Sequence, residues 1–481
     1  MKINISQQKI TEGTLIIPAI ETDTPFIEIP QFQLSISNKI FSAKKDTFYI
    51  IEKESKIYIV VGLGKDMEHK VLKDSFRRIS FKNKDLFSEN TQIYIPEFFL
   101  TKNITSIVNG LYLGVYELNH FKTDKKIEHP ILNENFELKF YFEKQNFDNS
   151  LKNIQKGIKI AQAQIAAMTL VDLPANIITP TYLANEALNF AKEFSTIKTT
   201  IFDRKKCEEL GLDAFLAVAK GSTEEPKFII LEYTPKNSTS NNHIGLVGKG
   251  ITFDTGGLNI KTQGMYFMKC DMSGAATVFG ALKLIASLEI PTKVTAILPC
   301  TENSIDANSF KPSDIISSYS KKSIEITDTD AEGRLALADG ISFMIKNYNP
   351  DILLDFATLT GSCVQTFGYE CAAMFSNNEQ IKEAFSKIGL EIDEKVWPLP
   401  LWNNYESDNN SDIADIKNYS MKSVAGAISA AKFIEFFTEN HPAWMHLDIA
   451  SVAFGDGEYG KSKYASAFGV HLIAEYVESL K

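Results

Sequence analysis

Few cysteines occur in this sequence, and none is arranged for chemistry. The five, Cys207, Cys270, Cys300, Cys363 and Cys371, are scattered and include no CxxC pair. That sets aside the usual zinc and dithiol-redox motifs and fits free thiols in a reducing compartment. Long apolar runs are missing too: none reaches bilayer-spanning length, and Met1 to Gly13 has a lysine but no apolar stretch of the kind a secretory leader carries. The expectation is a cytoplasmic protein without a membrane partner. Positive charge is also short, with 50 Lys+Arg against 60 Asp+Glu and a net charge of -10. With no local basic patch, nucleic acid is not an expected partner, because phosphate binding needs clustered cations. Internal repeats and low-complexity segments are absent.

What remains is an ordinary globular composition, 44% hydrophobic and 23% charged over 481 residues, long enough for two or three domains. The first third shows short β-branched and aromatic runs at Phe48 to Ile51, Ile57 to Val61, Ile93 to Ile95 and Phe136 to Phe142, which predict a small α/β domain over residues 1–150. From Leu151 the period changes. Leu151, Ile154, Ile158, Ala161, Ile165 and Met168 recur at helical steps, and the helix should stop before Asp172-Leu173-Pro174. Beyond it, the unalternating apolar runs Phe228 to Leu231, Ile244 to Val247, Val294 to Leu298 and Ile352 to Phe356 alternate with helical patterns. That predicts an α/β domain over 151–481, its central sheet mixed but largely parallel and covered by helices.

Three segments carry candidate chemistry. Val247-Gly-Lys-Gly-Ile-Thr-Phe-Asp-Thr-Gly-Gly runs from a strand into a glycine-rich loop bearing Lys249 and Asp254, where open α/β sheets place ligand sites. It matches neither the phosphate-loop nor the dinucleotide pattern, and as a plain turn it needs no ligand. In Met268-Lys-Cys-Asp-Met-Ser-Gly-Ala-Ala, Asp271 and Ser273 precede a helix, for which capping is a sufficient explanation. The densest signal is Asp328-Thr-Asp-Ala-Glu-Gly-Arg-Leu. Thr329 and Glu332 form a capping-box pattern there, yet capping does not account for Asp328, Asp330 and Glu332 together. Carboxylates at alternate positions crowd like charge unless a cation neutralises it, so a metal site is the better account. A calcium loop of EF-hand type over 328–339 is the rival, weakened by Ala336 at its ninth position, by Asp339 at its twelfth, and by the strand before it.

Together these segments resemble the signatures of the leucine aminopeptidase family of dinuclear metallopeptidases, in the same order and spacing. The similarity extends over most of Val171 to Lys481, including Ala357-Thr-Leu-Thr-Gly, Trp397-Pro-Leu-Pro-Leu and His446-Leu-Asp-Ile-Ala. The first third is similar to the family's variable N-terminal domain mainly through Val60-Val-Gly-Leu-Gly-Lys. Residue by residue, the resemblance implies that Lys249, Asp254, Asp271, Asp330 and Glu332 hold two divalent ions (zinc or manganese, with magnesium and cobalt also compatible), Asp254 and Glu332 bridging. It implies Lys261 as the catalytic lysine and Arg334 as the holder of a bicarbonate that acts as general base. It further implies that Met268, Thr358, Gly361, Ala450 and Ala453 line the pocket for the first side chain, that Leu359 offers backbone contacts, and that the substrates are peptides with a free amino end. A hexamer built of two trimers is implied as well, as is a DNA-binding or structural role in some members, against which the acidic balance argues here.

Three departures from the family pattern stand out. Asp328 occupies a position that is nearly always Asn, the segment Glu302 to Asp314 lacks the usual Met-Pro, and the ending Tyr464-Ala-Ser-Ala-Phe-Gly-Val is altered.

Overall fold

The computed structural model describes residues 2–480 except 66, 98, 100, 120, 125–127, 143–148, 456, 458 and 460–462. The chain forms two compact units, one chiefly of Met1–Ile165 and the other chiefly of Ala166–Lys481.

The first unit holds a six-stranded sheet in the order Lys2–Ser6, Glu137–Phe142, Asn90–Ile95, Gly13–Ala19, Lys56–Gly62, Phe48–Lys53. Its pairings are parallel except the last, between Lys56–Gly62 and Phe48–Lys53. Helix His69–Lys82 packs Val71, Leu72, Phe76 and Ile79 into a core with Ile16, Ile59 and Ile93. The expected α/β character is present, and two strands, Lys2–Ser6 and Gly13–Ala19, join the four the sequence predicts.

Helix Ser150–Asp172 covers the predicted periodic segment and ends at Asp172. Leu151 stands half in solvent, while Ile154, Ala161 and Met168 are buried.

The second unit has the α/β architecture the sequence predicts. Its nine-stranded sheet runs Val396–Pro398, Ala372–Ser376, Trp444–Asp448, Ile352–Ala357, His243–Gly248, Lys293–Asn303, Lys227–Tyr233, Ile197–Phe202, with Gly250–Asp254 also paired to Lys293–Asn303. The middle four strands are mutually parallel, and antiparallel pairings lie outside them. Their side chains are buried on both faces, which is why the sequence shows no alternation. Helix Gly333–Tyr348 contributes Leu335, Leu337 and Ile341 to the core formed with Val247, Ile297 and Leu353. Helix Ser273–Ser287 starts with small residues because a Cβ on Gly274 would lie 2.1 Å from the Phe356 carbonyl oxygen.

The consequence for function is positional. The parallel strands end at Gly248, Asn303, Ala357 and Asp448, so the residues just beyond them converge on one rim, the usual ligand site of an open parallel sheet.

Candidate active site

Lys249 follows strand His243–Gly248, Asp254 ends strand Gly250–Asp254, and Thr358 follows strand Ile352–Ala357. Asp271 precedes helix Ser273–Ser287, and Asp330 and Glu332 precede helix Gly333–Tyr348. All six line one cleft of about 780 Å³, with Lys261, Arg334, Met268, Leu359, Gly361 and Ala450. Of the residues the family resemblance implies, Ala453 alone is not on that wall; it is buried in the turn where its N–H donates to the Ile449 carbonyl.

Two ammonium groups sit among four carboxylates. The Lys249 Nζ lies 2.8 Å from Asp271 Oδ1 and Oδ2, 3.1 Å from Glu332 Oε1, and donates to the Thr358 carbonyl at 3.0 Å. Lys261 Nζ lies 2.7 Å from Asp254 Oδ2 and 2.5 Å from Asp330 Oδ1. Oxygens of Asp254, Asp330 and Glu332 all fall within 4.8 Å of one another. Burial alone would lower both lysines, but the surrounding carboxylates outweigh it and hold them charged, above the usual lysine range. The carboxylates are still short of positive charge. Burial, with Asp254 and Glu332 beside it, pushes Asp330 up to about 7, and burial raises Asp271 and Glu332 as well. Glu332 Oε2 is buried with no hydrogen-bond donor. A buried carboxylate oxygen without a donor is costly unless a cation takes it, so the donor set fits hard divalent ions with one amine ligand.

Local sequence explains how these groups are held. Gly256 has φ +86°, and a Cβ there would lie 2.8 Å from Asp330 Oδ1, so only glycine lets the loop pass beneath that carboxylate. At Gly333 a Cβ would lie 2.2 Å from Lys249 Cε, so the first turn of the helix leaves the channel through which the lysine reaches the cluster.

The capping alternatives do not hold. Thr329 Oγ1 donates to the Gly256 carbonyl at 2.7 Å and accepts from Asn259 N–H at 2.8 Å, docking the acidic loop onto the glycine-rich loop, while Glu332 turns to Lys249. Helix Gly333–Tyr348 has no side-chain cap bond, and neither has Ser273–Ser287; Ser273 Oγ donates to the Cys270 carbonyl and Asp271 faces Lys249. The calcium loop over 328–339 does not form, because the chain is helical from Gly333. Asp339 lies inside that helix, accepting from the N–H groups of Phe215 (3.0 Å) and Tyr319 (2.7 Å). Asp328 Oδ1 accepts from Asp330 N–H at 2.8 Å, a bond an asparagine oxygen would make equally well.

Arg334 is buried, and that burial lowers it to about 10. Its Nη1 donates to the Asn418 carbonyl at 2.7 Å, and its Nε has no partner. Such a guanidinium retains donors for a planar anion.

Three asparagines and one aspartate escaped the sequence reading. Asn303 Nδ2 bonds Asp254 Oδ1 at 2.8 Å and the Thr329 carbonyl at 3.1 Å, while Asn259 Oδ1 accepts from Thr329 N–H at 3.0 Å. Asn418 braces the acidic loop from the other side. Its Oδ1 accepts from Thr327 N–H at 2.8 Å and Asp328 N–H at 3.3 Å, and its Nδ2 donates to the Asp328 carbonyl at 2.6 Å. Asp448 accepts from the N–H groups of Leu359 and Ala450, each at 3.1 Å, and from Thr360 Oγ1 at 2.7 Å, tying two walls of the cleft together. Single polar residues in loops or at strand ends, as Asn303 and Asp448 are, give no spacing signal; His446-Leu-Asp-Ile-Ala is the one motif that marked any of them.

The segment that holds this cleft is similar in sequence to known proteins. Residues 165–474 match the catalytic domain of the cytosol aminopeptidase family. A probable cytosol aminopeptidase of Chlorobaculum tepidum is 43% identical over 328 residues, 68% of this chain and 64% of that protein. One from Chloroherpeton thalassium is 39% identical over 383 residues, 78% of this chain and 75% of that protein. One from Chlamydia caviae is 38% identical over 470 residues, 93% of this chain and 90% of that protein.

Proposed function

Because the chain belongs to the cytosol aminopeptidase family, and is an aminopeptidase at that level of description, we propose that it removes single residues, leucine and similar apolar ones foremost, from the free amino end of peptides with two divalent metal ions. The observation that carries this reading is the carboxylate cluster around Lys249 and Lys261, buried except at Asp330, with the buried Glu332 Oε2 left without a donor.

Lys249, Asp254, Asp271, Asp330 and Glu332 would hold the ions, with zinc, manganese, magnesium and cobalt all compatible with such nitrogen and oxygen donors. Bound there, the ions supply Lewis acidity that lowers the pKa of a water and polarises the scissile carbonyl. Lys261 offers an ammonium donor to the oxygen on which charge develops, a contribution of about 3 to 4 kcal/mol for a well-placed donor. Arg334, with its unpartnered Nε, is the group to hold bicarbonate as general base. Gly361, whose missing side chain leaves open space, together with Met268, Thr358 and Ala450, leaves room for an apolar first side chain, and Leu359 presents its backbone. A blocked amino end could not ligate a metal, which accounts for exopeptidase action.

A cytoplasmic location, assembly as a homohexamer, and a role for residues 1–150 in assembly or access complete the proposal; among the described residues no helix is long and apolar enough to cross a membrane. DNA binding is not favoured at a net charge of -10.

The test is hydrolysis of leucine p-nitroanilide by metal-stripped protein before and after addition of manganese or zinc, with an N-acetylated substrate and Asp330→Ala as controls. Metal-dependent release that both controls abolish is expected. Folded protein that stays inactive with every metal on every unblocked substrate refutes the reading.

A further inference from the structure

Among the described residues the cleft contains four cationic side chains, Lys249, Lys261, Arg334 and Lys463. Two of them are spent on carboxylates, and the third is buried against the Asn418 carbonyl. Lys463 differs: among the described residues no carboxylate lies within ion-pair distance of it. Its Nζ sits 5.0 Å from the ring centroid of Tyr369 and 5.2 Å from that of Phe267, and donates to the Tyr369 hydroxyl at 3.2 Å.

This position is built rather than incidental. Phe267 packs against Phe454 with ring centroids 6.0 Å apart. The backbone just after Lys463 is fixed by the two-stranded ladder Phe454–Gly455 with Tyr464–Ala465. Ring faces attract an ammonium and hold it in place, but they do not neutralise its charge. The cage also shares segments with the proposed side-chain pocket, since Phe267 precedes Met268, and both Ala450 and Phe454 line the cleft. Among the described residues the cleft thus has a carboxylate cluster and, apart from it, a cation with no carboxylate at ion-pair distance, a pattern that complements a short zwitterion.

We propose that Lys463 binds a carboxylate of the peptide beyond the scissile bond, foremost the free C-terminal carboxylate of a dipeptide, and so directs the enzyme towards very short peptides. This inference rests on the aminopeptidase reading. The Tyr369 hydroxyl oxygen accepts from Lys463 Nζ, which leaves its O–H as a second donor to the same anion.

The experiment compares kcat/KM for Leu-Gly and for Leu-Gly amide in the metal-loaded full chain, in Lys463→Met and in Lys463→Arg. The native protein should prefer the free acid by about tenfold, chiefly through KM, the size of one partly exposed charge-assisted hydrogen bond. Lys463→Arg should keep the preference, and Lys463→Met should bring the ratio of the two substrates to near one. A Lys463-dependent preference for Leu-Glu amide over Leu-Gln amide, with none for the free acid, would assign the same carboxylate site to a substrate side chain. Equal use of both Leu-Gly substrates and of both amides by the native protein, or a preference that persists in Lys463→Met, overturns the inference and leaves the aminopeptidase intact. Failure of the native protein to cleave any of these peptides overturns both.

Discussion

Replacing Asn418 by alanine tests whether the acidic loop depends on its brace. The side chain makes five hydrogen bonds: its Oδ1 accepts from Thr327 N–H at 2.8 Å, Thr327 Oγ1 at 3.3 Å and Asp328 N–H at 3.3 Å, and its Nδ2 donates to the carbonyls of Asp328 at 2.6 Å and Ala331 at 3.4 Å. Asn418 is itself fully buried, so alanine leaves a cavity that only partly admits water to these groups. The two short bonds, at about 1 kcal/mol each, and a smaller share from the three longer ones make the loss about 3 kcal/mol, which for a unit of this size lowers Tm by roughly 5 °C. The Arg334 bond to the Asn418 carbonyl involves the backbone and survives the substitution. The functional loss therefore comes from movement of Asp330 and Glu332. A displacement approaching 1 Å costs up to ~100-fold in rate, so kcat should fall at least tenfold by that reasoning. Thermal unfolding and steady-state hydrolysis of leucine p-nitroanilide measure the two effects. A Tm within a degree of native and kcat within a factor of two, both at saturating metal, would refute the brace.

Lys261→Met should reduce kcat by about 100-fold to 1,000-fold, as loss of one donor to a developing oxyanion does, with KM little changed; a KM effect alone would make Lys261 a binding residue. Asp339 should make stability depend on pH in a definite sense. Burial raises its carboxyl to about 7 from the ordinary value of 3.8, so the folded state keeps a proton that the unfolded chain releases. The contribution is therefore present below pH 3.8, declines above it relative to the unfolded chain, and costs the fold most above pH 7. Tm should rise on going from pH 8 to pH 6, and Asp339→Asn should flatten that rise; an equal rise in the variant sinks the assignment.

The strands of the second unit's sheet were legible because burial on both faces leaves unbroken apolar runs such as Ile244 to Val247, and the carboxylate cluster was legible in part because Asp330 and Glu332 crowd charge that caps do not need. The place of Lys249 among these carboxylates was legible only by resemblance, since no rule of spacing brings a lysine to such a cluster. The capping box failed for a physical reason: Thr329 and Glu332 have partners from distant segments, Gly256 and Lys249, and those contacts win over the local ones. Asn259, Asn303 and Asn418 became visible only when the fold brought three loops together. In the first unit, Gly13–Ala19 escaped notice because Pro18 interrupts its run; the strand accommodates it beyond the three residues that pair with Asn90–Ile95.

The channel at Gly333 has a consequence for how this protein can change. Because a methyl group there would strike the Lys249 side chain, the two positions are not free to vary one at a time. Any substitution at Gly333 displaces the amine, and shortening Lys249 opens a void against the helix. Changes at Gly333 and Lys249 are therefore coupled: a side chain at 333 moves the amine away from the carboxylates it now meets, and the lysine's present reach into the cluster depends on the glycine beside it.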